Sequence, residues 1–170
     1  YGGYNHDYES GNLTFFSAYY DEIVKARRLA EKMPLNQMKS CAGLKSSLFS
    51  GTEECPLVVG NDHYPNIVGP VEVAYKSNHT YWIYDPDTAG SLGVLDLSSE
   101  FSGPATYRQR VFDVESGCFV DSHESSHTLT FVNKQIQLGA GVSGSLPDRD
   151  WVFVVRRSYL PRIEIEGCSS

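Results

Sequence analysis

The chain has no run of eighteen apolar residues, so no helix in it is long and apolar enough to cross a membrane. Basic residues are also scarce: fourteen Lys and Arg face twenty-one Asp and Glu, for a net charge of −7. Both halves of the chain share this acidity. Nonspecific nucleic-acid binding works by counterion release from clustered cations, and this balance argues against it. Methionine and tryptophan occur only twice each. No internal repeat and no low-complexity segment stands out. What remains is an ordinary globular composition, 41% hydrophobic and 21% charged over 170 residues. That is enough chain for one domain, or two small ones, with its own core.

Cysteine is sparse as well. Cys41, Cys55, Cys118 and Cys168 form an even set without the CxxC spacing of a zinc site. Such a set reads as disulfides formed in an oxidising compartment, and four cysteines allow three connectivities. Joining chain neighbours closes the shortest loops. In the chain-entropy picture, Cys41–Cys55 then contributes about 3 kcal/mol and Cys118–Cys168 about 4 kcal/mol. Two sequons, Asn12-Leu13-Thr14 and Asn78-His79-Thr80, point to the same secretory route. The first residue is Tyr1, and no apolar leader follows it, which suggests a mature form. A secreted, extracellular protein is therefore expected, and the net charge favours a soluble monomer.

Residues 1–12 are rich in Gly, Tyr, Asn and Ser and read as an irregular arm. A single helix follows, with Phe16, Tyr20, Ile23, Ala26, Ala30 and Met33 as its apolar stripe and Pro34 as its stop. Beyond Pro34 come short strands, at 44–49 and 56–59, and then a turn-rich stretch from Gly60 to Pro70. Period-two alternation dominates the rest, at 71–75, 79–84, 92–97, 106–114, 128–132, 135–138, 151–155 and 162–166. The expected fold is α+β and mostly β. An N-terminal helix-plus-sheet unit at 1–68 precedes an antiparallel β-sandwich at 69–170.

The sharpest motif is HESSH, from His123 through Glu124 to His127. On a helix, this spacing sets two imidazoles one turn apart for zinc, with the Glu as general base. Here the flanks read as turn and strand, and no third ligand is evident. On a strand the two histidines would stand about 13 Å apart, too far for one metal. Gly139-Ala-Gly-Val-Ser-Gly144 matches a dinucleotide fingerprint, but a turn follows it where a helix is required. The same loop nearly offers a nucleophile elbow at Ser143, and fails for the same reason. Asp85, Asp87 and Asp96 echo a calcium loop with too few oxygen ligands. Glu164 and Glu166 share a strand face with Arg162, the ordinary pattern of an exposed strand. Arg108 and Arg110 alternate onto one face and, with Arg156 and Arg157, suggest a small basic patch; the plainer alternative is an exposed strand face balanced by Asp113 and Glu115. Tyr1, Tyr4 and Tyr8 are the better candidates for binding, since exposed Tyr supplies rigid contact area. No cofactor is expected.

The order of the helix at Phe16–Met33, Cys41, Cys55, the Pro65–Pro70 break and the later strands resembles the dual-domain effectors secreted by plant-pathogenic fungi, of the secreted-in-xylem type. Four cysteines are fewer than members of that group often hold. The resemblance implies a small N-domain, a β-sandwich C-domain, disulfide bonds and removal of a pro-segment. It also implies a virulence protein without known enzymatic activity. Its partners would be a host protein target and a host immune receptor, met in the apoplast or inside host cells. Two rivals stand beside it. One is a small zinc-dependent hydrolase using His123, Glu124 and His127; the other is a secreted carrier of a small apolar ligand.

Overall fold

The computed structural model describes residues 13–42, 57–59, 72–85, 92–139, 146 and 150–168. Among the described residues it is mostly β, with one α-helix and antiparallel sheets. Helix α1 spans Leu13–Glu31. Its last turn tightens as the Lys32 and Met33 amides bond to the Leu29 and Ala30 carbonyls, and a 3-10 turn follows at Leu35–Gln37. Pro34, at the entry to that turn, cannot extend the α-helical ladder. The buried stripe is rotated from the expected one. Leu29 and Met33 are buried with Ala26 packed beside them, while Ile23 is 45% exposed. Leu29 lies three residues beyond Ala26 and four before Met33, so these three share one face.

The strands are β1 (Lys39–Ala42), β2 (Val58–Val59), β3 (Glu72–Lys76), β4 (Thr80–Asp85), β5 (Val94–Asp96), β6 (Ala105–Asp113), β7 (Cys118–Phe119), β8 (Ser125–Leu129), β9 (Gln135–Gln137) and β10 (Trp151–Arg157). Among the described residues they form two sheets. The larger runs β1-β3-β4-β10-β6-β7, with β8 also on β6, and the smaller runs β2-β5-β9. Strands β1 and β2, from the expected N-terminal unit, pair with β3 and β5 of the expected C-terminal unit.

Strand β10 explains the arrangement. Its first five residues are all buried, which is the pattern of a strand covered on both faces. Trp151, Phe153 and Val155 join Leu95, Ile136 and Tyr107 in a core shared by the two sheets. Val152 and Val154 join Leu29, Met33, Phe112, Ile163 and Ile165 in a second core on the helix side.

Most predicted strands are present with shifted ends. The one expected at 128–132 starts earlier, at Ser125, and ends at Leu129. Residues 162–166 form no strand, although Ile163 and Ile165 are buried and Arg162, Glu164 and Glu166 exposed. That alternation comes from a tail laid along the helix-side core. A Cys118–Cys168 disulfide, with its Cα atoms 5.7 Å apart, ties this tail to β7. The side chain of Cys41, Cys55 and the run at 44–49 lie outside the described residues.

Candidate functional site: an arginine-bearing sheet face

The HESSH segment is a 3-10 turn at Asp121–His123 followed by strand β8, so the helix that a zinc motif requires is absent there. Alternation along β8 sends Ser125 and His127 to one face. Ser125 Oγ lies 2.8 Å from His127 Nε2, and Gln109 Nε2 donates to Ser125 Oγ at 3.1 Å. Burial holds the His127 pKa below its ordinary value. His123 Nδ1 is buried with no hydrogen-bond partner. Among the described residues, no group of three His, Cys, Asp or Glu side chains is placed to hold a metal ion.

Glu124 takes a different part. Its carboxylate lies 3.2 Å from Arg108 Nε, 3.3 Å from Arg110 Nε and 3.1 Å from Arg162 Nη2. Asp121 closes the cluster, pairing with Arg110 at 2.9 Å and with Arg162 at 2.5 Å. Hydrogen bonding from Arg110, aided by the charges of Arg162 and Arg110, outweighs the burial penalty and holds the Asp121 carboxyl below the usual carboxylate range. Arg110 is almost wholly buried; it also donates to the Ile163 carbonyl at 2.5 Å and stacks on Phe119, 3.9 Å from the ring centre. The cluster thus joins β6, the 3-10 turn and the C-terminal tail. The balancing acids are Asp121 and Glu124, where the sequence suggested Asp113 and Glu115. Asp113 is buried and accepts the Glu115 amide, while the Glu115 carbonyl accepts a bond from Lys25.

Beside this cluster lies a shallow groove on the helix-side face of the large sheet. Arg108, Arg110, Arg156 and Arg162 line it, with Val154 and Pro161. Arg156 faces Arg108 directly across the β10–β6 pairing. Its guanidinium donates to the Pro161 carbonyl at 2.7 Å and to Thr80 Oγ1 at 3.4 Å. Arg157, one residue on, turns to the opposite face and sits over Tyr107 and Tyr159. The basic patch read from the sequence is therefore divided: Arg108, Arg110 and Arg156 come together, joined by Arg162, and Arg157 leaves. Arg162 was legible only as part of an exposed strand, because its approach depends on the path of the tail.

Of the other predicted sites, Asn78 stands in the β3–β4 turn with φ at 54°, where its amide donates to the Tyr81 hydroxyl. Asn tolerates this left-handed conformation, which is a reason for its presence independent of glycosylation. Tyr1, Tyr4, Tyr8 and Asn12 lie outside the described residues, as do Asp87 of the calcium-like loop and residues 140–144 of the glycine-rich one. No helix among the described residues is long and apolar enough to cross a membrane.

No protein-family model matches the sequence, and no curated protein does. The fold is similar to part of a solved structure, a glycoside hydrolase family 5 from Bacteroides vulgatus ATCC 8482, with a TM-score of 0.53 at 15% identity. The alignment covers 85% of this chain and 26% of that one, so the chain spans about a quarter of that protein's length. At this identity the likeness is one of fold.

Proposed function

We propose that this chain is a secreted, disulfide-bonded binding protein, a virulence effector of the kind secreted by plant-pathogenic fungi, which acts by holding a host target and not by catalysis. The two sheets facing one another across a shared core are read here as its β-sandwich. The Cys118–Cys168 disulfide suits the extracellular route. One observation carries the non-catalytic reading. Glu124, the residue that would serve as general base, has its carboxylate engaged by three arginines in a clamp that holds the tail to the sheet. His127 is turned toward Gln109 and Ser125. Host recognition, by the target and by an immune receptor, then falls to the surface.

The test pairs metal analysis with a tissue response. Protein purified without chelators or a histidine tag is assayed for zinc, and wild type and His127→Gln are applied to host leaf tissue. The expected result is no stoichiometric zinc and an undiminished response from His127→Gln. About one zinc per chain, lost together with the response in the variant, would overturn the reading in favour of a zinc-dependent hydrolase.

A further inference from the structure

Strand register places five residues side by side across the helix-side face of the large sheet: Lys76, Thr80, Arg156, Arg108 and Ser126. Three carry a positive charge, two carry a hydroxyl, and none is a carboxylate. Neighbouring strands stand about 4.8 Å apart, so the row is roughly 19 Å long. In the next row inward, Ala74, Trp82, Val154 and Arg110, the tail packs on Trp82 and Val154 through Ile163 and Ile165, and Arg110 donates to the Ile163 carbonyl.

Directly opposed like charges destabilise a sheet, and Arg108 and Arg156 are such a pair. Arg108 is answered by Glu124 at 3.2 Å. Arg156 has no carboxylate partner among the described residues; its acceptors, the Pro161 carbonyl and the Thr80 hydroxyl, are both neutral. Burial and the charge of Arg108 both lower its pKa, and burial, with smaller contributions from the charges of Lys76 and Arg156, lowers that of His79 at the nearby turn. The row is thus a locally positive strip on a protein whose net charge is −7. A half-buried guanidinium kept beside another, without a counter-charge, is relieved by an anion from outside. Arginine presents its donors in a planar fork that matches oxyanions, and the exposed hydroxyl of Ser126 at the end of the row can add a neutral donor, while Thr80 is buried beneath the row and bonded to His79 and Arg156.

We infer that this row is an anion-binding site for a ligand bearing two or more oxyanion groups, with Arg156 and Arg108 gripping one group and Lys76 reaching the next. The inference rests on the reading of the protein as a binder and names the chemistry of what it holds. The spacing favours a multiply charged ligand lying across the strands over a lone ion, because about 10 Å separates Lys76 from Arg156.

The probe is inorganic tripolyphosphate, titrated at low salt into isotopically labelled protein and followed by amide chemical shifts, with inorganic phosphate as the singly placed comparison. Shifts are expected at Lys76, Thr80, Arg156, Arg108 and Ser126, with phosphate binding more weakly. Arg156→Gln should weaken tripolyphosphate binding about tenfold or more, the effect of losing a charged hydrogen-bonded contact. Lys76→Gln, at the margin of the row, should weaken it several-fold and leave phosphate binding nearly unchanged. The same spectra show whether each variant is folded, and if Arg156→Gln is not, Lys76→Gln decides. Shifts mapping elsewhere, no binding, or binding indifferent to the folded variants would overturn the site. Because the titration reads the row directly, its failure is separate from failure of the zinc and tissue assays.

Discussion

Gln109 Nε2 donates to the main-chain carbonyl of Gln137 at 3.3 Å, and through that bond a fully buried side chain of β6 reaches the β9 strand of the smaller sheet. Its Oε1 accepts the Gly139 amide at 3.2 Å, and the same nitrogen serves Ser125. This buried polar side chain is thus a cross-link between sheets. Removing one member of a buried pair leaves its partners to bear the desolvation cost. Gln109→Leu should therefore lower stability by roughly 1–3 kcal/mol, seen as a lower urea midpoint with an unchanged slope.

Gly117 closes the β6–β7 turn at φ 75°, and a Cβ there would stand 2.7 Å from Cγ of Lys25 on the helix. That carbon belongs to the stem of a side chain fixed at both ends, since Nζ pairs with Asp21 and bonds to the Glu115 carbonyl. Gly167 has a similar φ of 84° with open space around it. Gly167→Ala should cost about 1 kcal/mol for backbone strain alone, and Gly117→Ala clearly more. Equal losses in thermal or chemical unfolding would refute the helix contact.

The Cys118–Cys168 disulfide spans 50 residues and anchors the tail that carries Arg162, Ile163 and Ile165. Replacing both cysteines by Ala should cost about 4 kcal/mol in the chain-entropy account. The tail should also loosen first, so amide exchange should accelerate at Ile163 and Ile165 before it does in β10. Uniform acceleration would mean that the disulfide acts on the whole fold and not on the tail.

Acid should weaken the protein in two steps. His127 and His79 both have lowered pKa values, so the unfolded chain binds protons that the folded one refuses. Their contribution is complete above the ordinary histidine value of about 6.5 and is lost as pH falls through it toward the lower folded values. Asp121 has a lowered pKa too, and its contribution survives to the carboxylate range and is lost below about pH 3.9. His127→Gln should flatten the first step and Asp121→Asn the second, as measured by urea midpoints across pH. A wild type as stable at pH 5 as at pH 7.5 would contradict the histidine assignment.

By itself the sequence determined the local character of this protein. The helix up to Pro34, the alternating strands, the acidic balance and the reading of HESSH as turn and strand all follow from short-range periodicity and backbone chemistry. The tertiary structure alone decided what meets what. Strand β10 is apolar on both faces, so alternation could not say which sheet or layer it joins, and β1 and β7, at four and two residues, carry too short a pattern to register. The arginine cluster shows the limit most clearly. Arg108 and Arg110 could be placed on one face because a strand repeats every two residues. Arg162, Asp121 and Glu124 reach that face only because the pairing of β8 with β6, the disulfide and the burial of Ile163 and Ile165 fold distant segments onto it. Such contacts depend on strand register and chain path, which no local spacing encodes.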